Sequence, residues 1–223
     1  MKKKILVLGS AAALMLGFVA SAQASITTTK HNLSFGSSNT IKGATAASTK
    51  VCEYCHAPHK PLVNVPLWNR KDPVAAAFTY YQNVATMSAA GQAAALGAGS
   101  ISLQCLSCHA ETVAQMGLNA GNTTLAADGL QGAWTAINLI GYDLSNDHPV
   151  GFSYITAQSQ RGQAGNVGTS LKAAVGGKVG TLPLFGAGPA QMECATCHMV
   201  HDNTNTMFLR VTADTLCVTC HNN

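Results

Sequence analysis

Cys52-Glu53-Tyr54-Cys55-His56, Cys105-Leu106-Ser107-Cys108-His109, Cys194-Ala195-Thr196-Cys197-His198 and Cys217-Val218-Thr219-Cys220-His221 are four copies of one pattern, C-x-x-C-H. Together they use all eight cysteines of the 223-residue chain. Two thiols at this spacing, with a histidine directly after the second, form the pattern of covalent haem attachment. The thiols make thioethers to the haem vinyl groups, and the histidine reaches the iron from one face. Zinc ribbons also carry paired C-x-x-C units, and an exported chain can form disulfides. Neither needs a histidine after every second cysteine. The expected cofactors are therefore four covalently bound haem c groups. They are held by Cys52 and Cys55, Cys105 and Cys108, Cys194 and Cys197, and Cys217 and Cys220, with His56, His109, His198 and His221 on the irons.

The remaining histidines match that count. Eight are present, and outside the motifs stand His31, His59, His148 and His201. Four irons need four second axial ligands, and these four are the candidates. His59 follows His56 by three residues, as His201 follows His198, giving C-x-x-C-H-x-x-H twice. Positions three apart lie on one side of a helical turn. His59 therefore does not reach round to the far face of the haem that His56 holds, but it reaches a neighbouring iron. A propionate hydrogen bond is its plainer role. For His31 the plainer role is a surface histidine on a tail, and for His148 a satisfied core histidine. Pro149 holds His148 in an extended backbone, suited to presenting a ligand from a loop.

Residues 1–24 have the form of a secretory signal. Lys2, Lys3 and Lys4 precede a largely apolar stretch, Ile5 to Ala20, and Ala22-Gln23-Ala24 is a cleavage pattern. Cleavage leaves 199 residues from Ser25 onward, read as a single tetrahaem domain over 25–223. No later stretch is suited to spanning a membrane. Without the three leading lysines, ten Lys and Arg face nine Asp and Glu. There is no basic patch with aromatic platforms, which excludes nucleic acid as the expected partner. Only 10% of the residues are charged, a low share that fits a surface buried against further copies.

Along the chain, 25–51 reads as an extended arm without regular structure. Pro58, Pro61 and Pro66 exclude a long helix after the first motif. Asp72 to Leu96 is the best helix candidate, with Asp72 as cap, Pro73 in the first turn and Val74, Phe78, Tyr81 and Ala85 on one stripe. Phe78, Tyr80 and Tyr81 serve as ordinary core and haem-facing surface alike. Shorter helices are expected over Glu111 to Met116 and Leu130 to Ile140, with a loop between them. A short strand is expected within Val179 to Phe185. The order His31, CxxCHxxH, CxxCH recurs as His148, CxxCHxxH, CxxCH, which suggests approximate dihaem units over 52–140 and 141–223. The fold class expected is a multihaem cytochrome c, mostly coil with short helices and very little strand, its core built from closely packed haems.

Irons carrying two histidines have no open position, so outer-sphere electron transfer at low potential is expected, with no catalytic residues. Met116, Met192, Met199 and Met207 are competing ligands that the full histidine set makes unnecessary. His31 near one end and a haem site at the other suggest a head-to-tail connector. Such a contact does not close and builds filaments. His31 serving its own chain is the alternative.

The run His31-Asn32-Leu33-Ser34, the Cys52–His59 motif, Pro66-Leu67-Trp68-Asn69-Arg70 and Asp147-His148-Pro149-Val150-Gly151-Phe152 resemble the multihaem cytochromes with doubled CxxCH motifs. Within them the chain is similar to secreted tetrahaem cytochromes of metal-reducing bacteria that polymerise into extracellular nanowires. The resemblance implies a homopolymer in which one axial histidine comes from the neighbouring subunit. It also implies electron donors among periplasmic or outer-membrane cytochromes, and an extracellular or cell-surface location. His31 is the shared ligand that topology favours. A monomeric periplasmic electron shuttle would carry the same haems, and a multihaem reductase would need an iron with an open position.

Overall fold

The computed structural model describes residues 25–44, 50–57, 67–110, 130–133, 135, 138–160, 170–186 and 190–222. Five short α-helices lie in them: α1 (Ala89–Gln92), α2 (Ile101–His109), α3 (Tyr154–Ser159), α4 (Cys194–Cys197) and α5 (Ala213–Cys220). Eight two-residue strands accompany them: β1 (Lys42–Gly43), β2 (Thr79–Tyr80), β3 (Leu130–Gln131), β4 (Asp143–Leu144), β5 (Phe152–Ser153), β6 (Lys178–Val179), β7 (Leu182–Pro183) and β8 (Gln191–Met192).

The strands correct the expectation of very little strand. They pair as four two-stranded sheets, β1–β3, β2–β4, β5–β8 and β6–β7. The β2–β4 pair is parallel, with Thr79 opposite Asp143, and the other three are antiparallel. Isolated bridges add His56 to Trp68, Leu171 to His221 and His198 to Leu209. With so few long helices, backbone groups find partners by pairing segments remote in sequence, and each pairing is a staple two residues long.

The core expectation is corrected too, because side chains form three buried clusters. One joins Phe152, Tyr154, Val179, Leu182, Leu184 and Met192. A second joins Phe78, Leu96, Leu103, Leu106 and Leu144. The third sets Leu33 against Tyr54. Burying each large apolar side chain contributes about 1.5–3 kcal/mol. Strand pairs hold the first two clusters in place, so sheet and core are one arrangement.

The helix expected over Asp72 to Leu96 does not form. A 3-10 turn occupies Ala75–Ala77, β2 follows, and only α1 is α-helical. The β-favouring run Phe78-Thr79-Tyr80 prevails over the helical stripe, because pairing with β4 satisfies its backbone and buries Phe78. Ser88 starts α1 by accepting from Gly91 N at 3.1 Å. Of Leu130 to Ile140, the described residues form β3 and a turn at Asn138; residues 134, 136 and 137, two of which carried the expected helical spacing, lie outside the described set. The Glu111 to Met116 helix and the loop after it lie outside it as well. The strand expected within Val179 to Phe185 is a hairpin, β6 turning at Gly180 (φ +57°) into β7.

The segment expected as an unstructured arm is folded from Ser25 to Ala44. It opens with a 3-10 turn, Ser25–Thr28, and contributes β1. Asn39 Nδ2 donates to the Thr29 and Asn32 carbonyls at 2.8 and 2.9 Å, and Asn32 Nδ2 to the Thr27 carbonyl at 2.7 Å. These amides fold the segment around His31.

Gly132 follows β3 directly, with φ +125°. A Cβ there would meet the Thr40 carbonyl oxygen at 2.2 Å. Gly132→Ala is expected to cost about 1–3 kcal/mol, read as a lower thermal midpoint by circular dichroism. An unchanged midpoint would show that β1–β3 contributes nothing to stability.

Candidate functional site

The four motifs are built in two ways. Cys105-x-x-Cys108-His109 ends α2, and Cys217-x-x-Cys220 ends α5 with His221 next. The other two are single turns, one of them α4, from which the chain runs out extended at His56 and His198 into antiparallel bridges. Their returns are alike. Ala57 N donates to Leu67 O at 2.8 Å and Asn69 N to Cys55 O at 2.9 Å. Met199 N donates to Phe208 O at 2.8 Å and Arg210 N to Cys197 O at 2.9 Å. Leu67 and Phe208, at equivalent places, both have positive φ, 64° and 61°. An arginine braces each turn: Arg70 Nε donates to Tyr54 O at 3.0 Å, and Arg210 Nε to Ala195 O at 2.8 Å.

Three of the four histidines outside the motifs come to rest beside motif histidines. Ring centres are 6.1 Å apart for His31 and His109, 6.0 Å for His56 and His201, and 6.5 Å for His148 and His221. A metal bonded to two opposed imidazoles at about 2 Å from each nitrogen sets their centres about 6.3 Å apart. Each pair joins one motif histidine to one histidine from elsewhere, and none joins two motif histidines. His59 lies outside the described residues, as does Met116. Met192 is buried in the first core cluster, while Met199 and Met207 are exposed.

The rings are prepared as metal ligands. His109, His148 and His198 each turn Nδ1 to a backbone carbonyl, of Asn138, Pro149 and Met207, at 2.7, 3.0 and 2.8 Å. A carbonyl accepts only, so Nδ1 carries a proton in each of the three, which leaves Nε2 as the ring atom turned away from that contact. Burial first, then neighbouring His109, His201 and His198, lowers His31 to about 4. Burial also lowers His109, His201 and His221. These rings are neutral near pH 7, the form that binds metal. His31 Nδ1 is buried without a hydrogen-bond partner, an orphan that a bound group would relieve.

All eight cysteines are unpaired thiols. Their neighbours are one another. Burial, then Cys108, pushes Cys55 up to about 12. The Cys105 and Cys194 thiols act on each other, which raises Cys105 and lowers Cys194. Burial, then Cys220, pushes Cys197 up to about 11. Side chains link the surroundings of the first and second motifs, through Trp68 and Ser107, and of the second and third, through Ser102 and Cys194. Among the described residues no cluster of three or more His, Cys, Asp and Glu side chains is arranged to hold a bare metal ion. The residues fit haem: paired thiols, an adjacent histidine, a remote histidine ring beside three of the four motif histidines, and exposed apolar Met199, Val200 and Val218 beside or within the motifs.

Residues 188–223 match the family described as the doubled CXXCH motif. No curated protein matches the chain. The matched segment holds the third and fourth motifs and is consistent with a multihaem c-type cytochrome that attaches haem covalently and carries electrons. No described helix is long and apolar enough to cross a membrane.

Two features escaped the sequence reading. Glu193, 5% exposed, lies between the second and third motifs, and Trp68 Nε1 reaches Ser107 Oγ at 3.3 Å to link the first and second. The one signal for Glu193 was an acid placed directly before a motif.

Arg70 is 2% exposed, and Arg70→Met removes its charged donor to the Tyr54 carbonyl at nearly constant volume. The expected loss is about 2–3 kcal/mol in urea unfolding. A loss below half a kcal/mol would mean that the brace is dispensable.

Proposed function

We propose that the chain is a tetrahaem electron-transfer protein whose irons each carry two histidines, and that it works as the repeating subunit of an extracellular filament passing electrons to external acceptors. The observation that carries the first part is the set of three ring pairs, each matching a motif histidine with a remote one. They support His31 as second ligand with His109, His201 with His56, and His148 with His221. By count, His59 is left for the iron of His198. Haem iron supplies reversible one-electron exchange. The residues would do the rest: the thiols would fix its position, the paired histidines would ligate the iron, and the carbonyls bonded to Nδ1 orient the His109, His148 and His198 rings. Closed axial faces leave no place for a substrate, so the chain is read as a carrier and not an enzyme.

In sequence order, a cysteine of each motif feels one of the next, Cys55 with Cys108, Cys105 with Cys194 and Cys197 with Cys220. That order suits conduction from one extremity to the other and therefore repetition in a homopolymer joined head to tail. The resemblance to nanowire cytochromes and the low surface charge support the same reading, with delivery from periplasmic or outer-membrane cytochromes. His31 lies 6.1 Å from His109 of its own chain. Exchange of the 25–44 segment between copies would make the same contact across an interface, so His31 is the residue to test for sharing.

In the haem-loaded protein, His201→Ala is expected to convert about one haem equivalent in four to a high-spin, carbon monoxide-binding form. A spectrum that stays fully low-spin would break the pairing with His56.

Negative-stain microscopy of the wild type should give uniform filaments, and His31→Ala should abolish them where the ligand is shared. Filaments that persist would keep the polymer and return His31 to its own chain. Monomers in both would leave a periplasmic shuttle.

A further inference from the structure

The polar centre between the second and third motifs is a single carboxylate. Glu193 stands immediately before Cys194. Its Oε2 accepts from Ser100 Oγ at 2.7 Å, from Ser102 N at 3.2 Å and from Ser102 Oγ. Ser100 and Ser102 lie at the start of α2, the helix that ends in the second motif. The Ser102 hydroxyl also accepts from Cys194 N at 2.9 Å. Its own proton is therefore directed at Glu193, which acts as an acceptor there. Glu193 N donates to Thr196 Oγ1 at 3.1 Å and so caps α4.

Charge is the second observation. No Lys or Arg among the described residues is paired with Glu193, while Lys50 pairs with Glu53. Its sequestered charge is met by hydroxyl and amide dipoles, which orient it without cancelling it. Cys105 and Cys194, cysteines of two different motifs, each feel the Glu193 charge. In a buried setting the field of such a charge is weakly screened by water and salt.

We propose that Glu193 is a potential-setting residue, whose buried negative charge favours the oxidised state of the groups bound at the second and third motifs. Ferric haem carries one more positive charge than ferrous, so a fixed anion nearby stabilises it and lowers the reduction potential. The first and fourth motifs lie outside this contact. The central pair is thereby held below the potential it would otherwise have, which shapes the steps along the row of sites. The proposal rests on the reading of the motifs as haem sites.

The test compares Glu193→Gln with Ser100→Ala in the haem-loaded protein. Glutamine keeps the shape and removes the charge; Ser100→Ala keeps the charge and loosens the tie to α2. Redox titration followed through haem-resolved proton resonances gives the midpoints, and thermal melting reports the structural contribution. In Glu193→Gln two midpoints are expected to move upward, while Ser100→Ala melts earlier with its midpoints in place. A tie without an electrostatic role predicts earlier melting in both variants and no shift in either, which would overturn the proposal. Equal shifts in both variants, or a downward shift in Glu193→Gln, would also overturn it. A pyridine haemochrome assay separates these failures from failure of the haem reading itself, since a chain without haem gives no haemochrome in the wild type.

Discussion

A turn that ends in C-x-x-C-H leaves its last carbonyls without intrahelical donors, and the fold is organised by how they are met. At the first motif, Asn69 and Arg70 return to the Cys55 and Tyr54 carbonyls, and Asn69 Nδ2 reaches Glu53 O at 2.5 Å. At the second, Ile140 N and Gly141 N both reach the His109 carbonyl. At the third, Arg210 supplies two donors. At the fourth, Lys172 N and Tyr154 Oη reach Cys220 O, and Lys172 Nζ reaches Val218 O. Every motif is thus closed by a segment from elsewhere, so four short turns suffice to define the path of a long chain. The two-residue strands are by-products of the same need.

The motif residues were legible because their chemistry is local: thiols two apart and a histidine next to them. The ligand repeat was legible too, but only as an order of residue types. That the first and third motifs share a backbone was not, since Leu67 and Phe208 are residues in which nothing signals a positive φ. The helix over Asp72 to Leu96 failed for a tertiary reason. Its stripe was real, but Asp143–Leu144 offered Thr79–Tyr80 a ladder that a local pattern cannot anticipate. Glu193 was hidden similarly, because its donors lie more than ninety residues earlier.

Asn32 and Asn39 explain why the first segment belongs to the body of the protein. Composition there is Ser, Thr, Ala and Gly, which reads as coil. The amides instead bind carbonyls of their own turn, and Leu33 packs on Tyr54. Polar side chains do in this stretch what apolar stripes do elsewhere. The His31 ring is carried into the centre with them.

The His56–His201 neighbourhood also bears on how the chain is made. A chain emerging from its N-terminus presents His56 long before His201 exists. In that interval the ring that stands beside His56 in the finished fold has yet to be made, while His31 and His59 are already present. Late-forming contacts between distant segments slow folding. Here the delay invites a wrong neighbour to be chosen first and later displaced, so maturation is expected to include an exchange of partners that completes only when the last segment arrives.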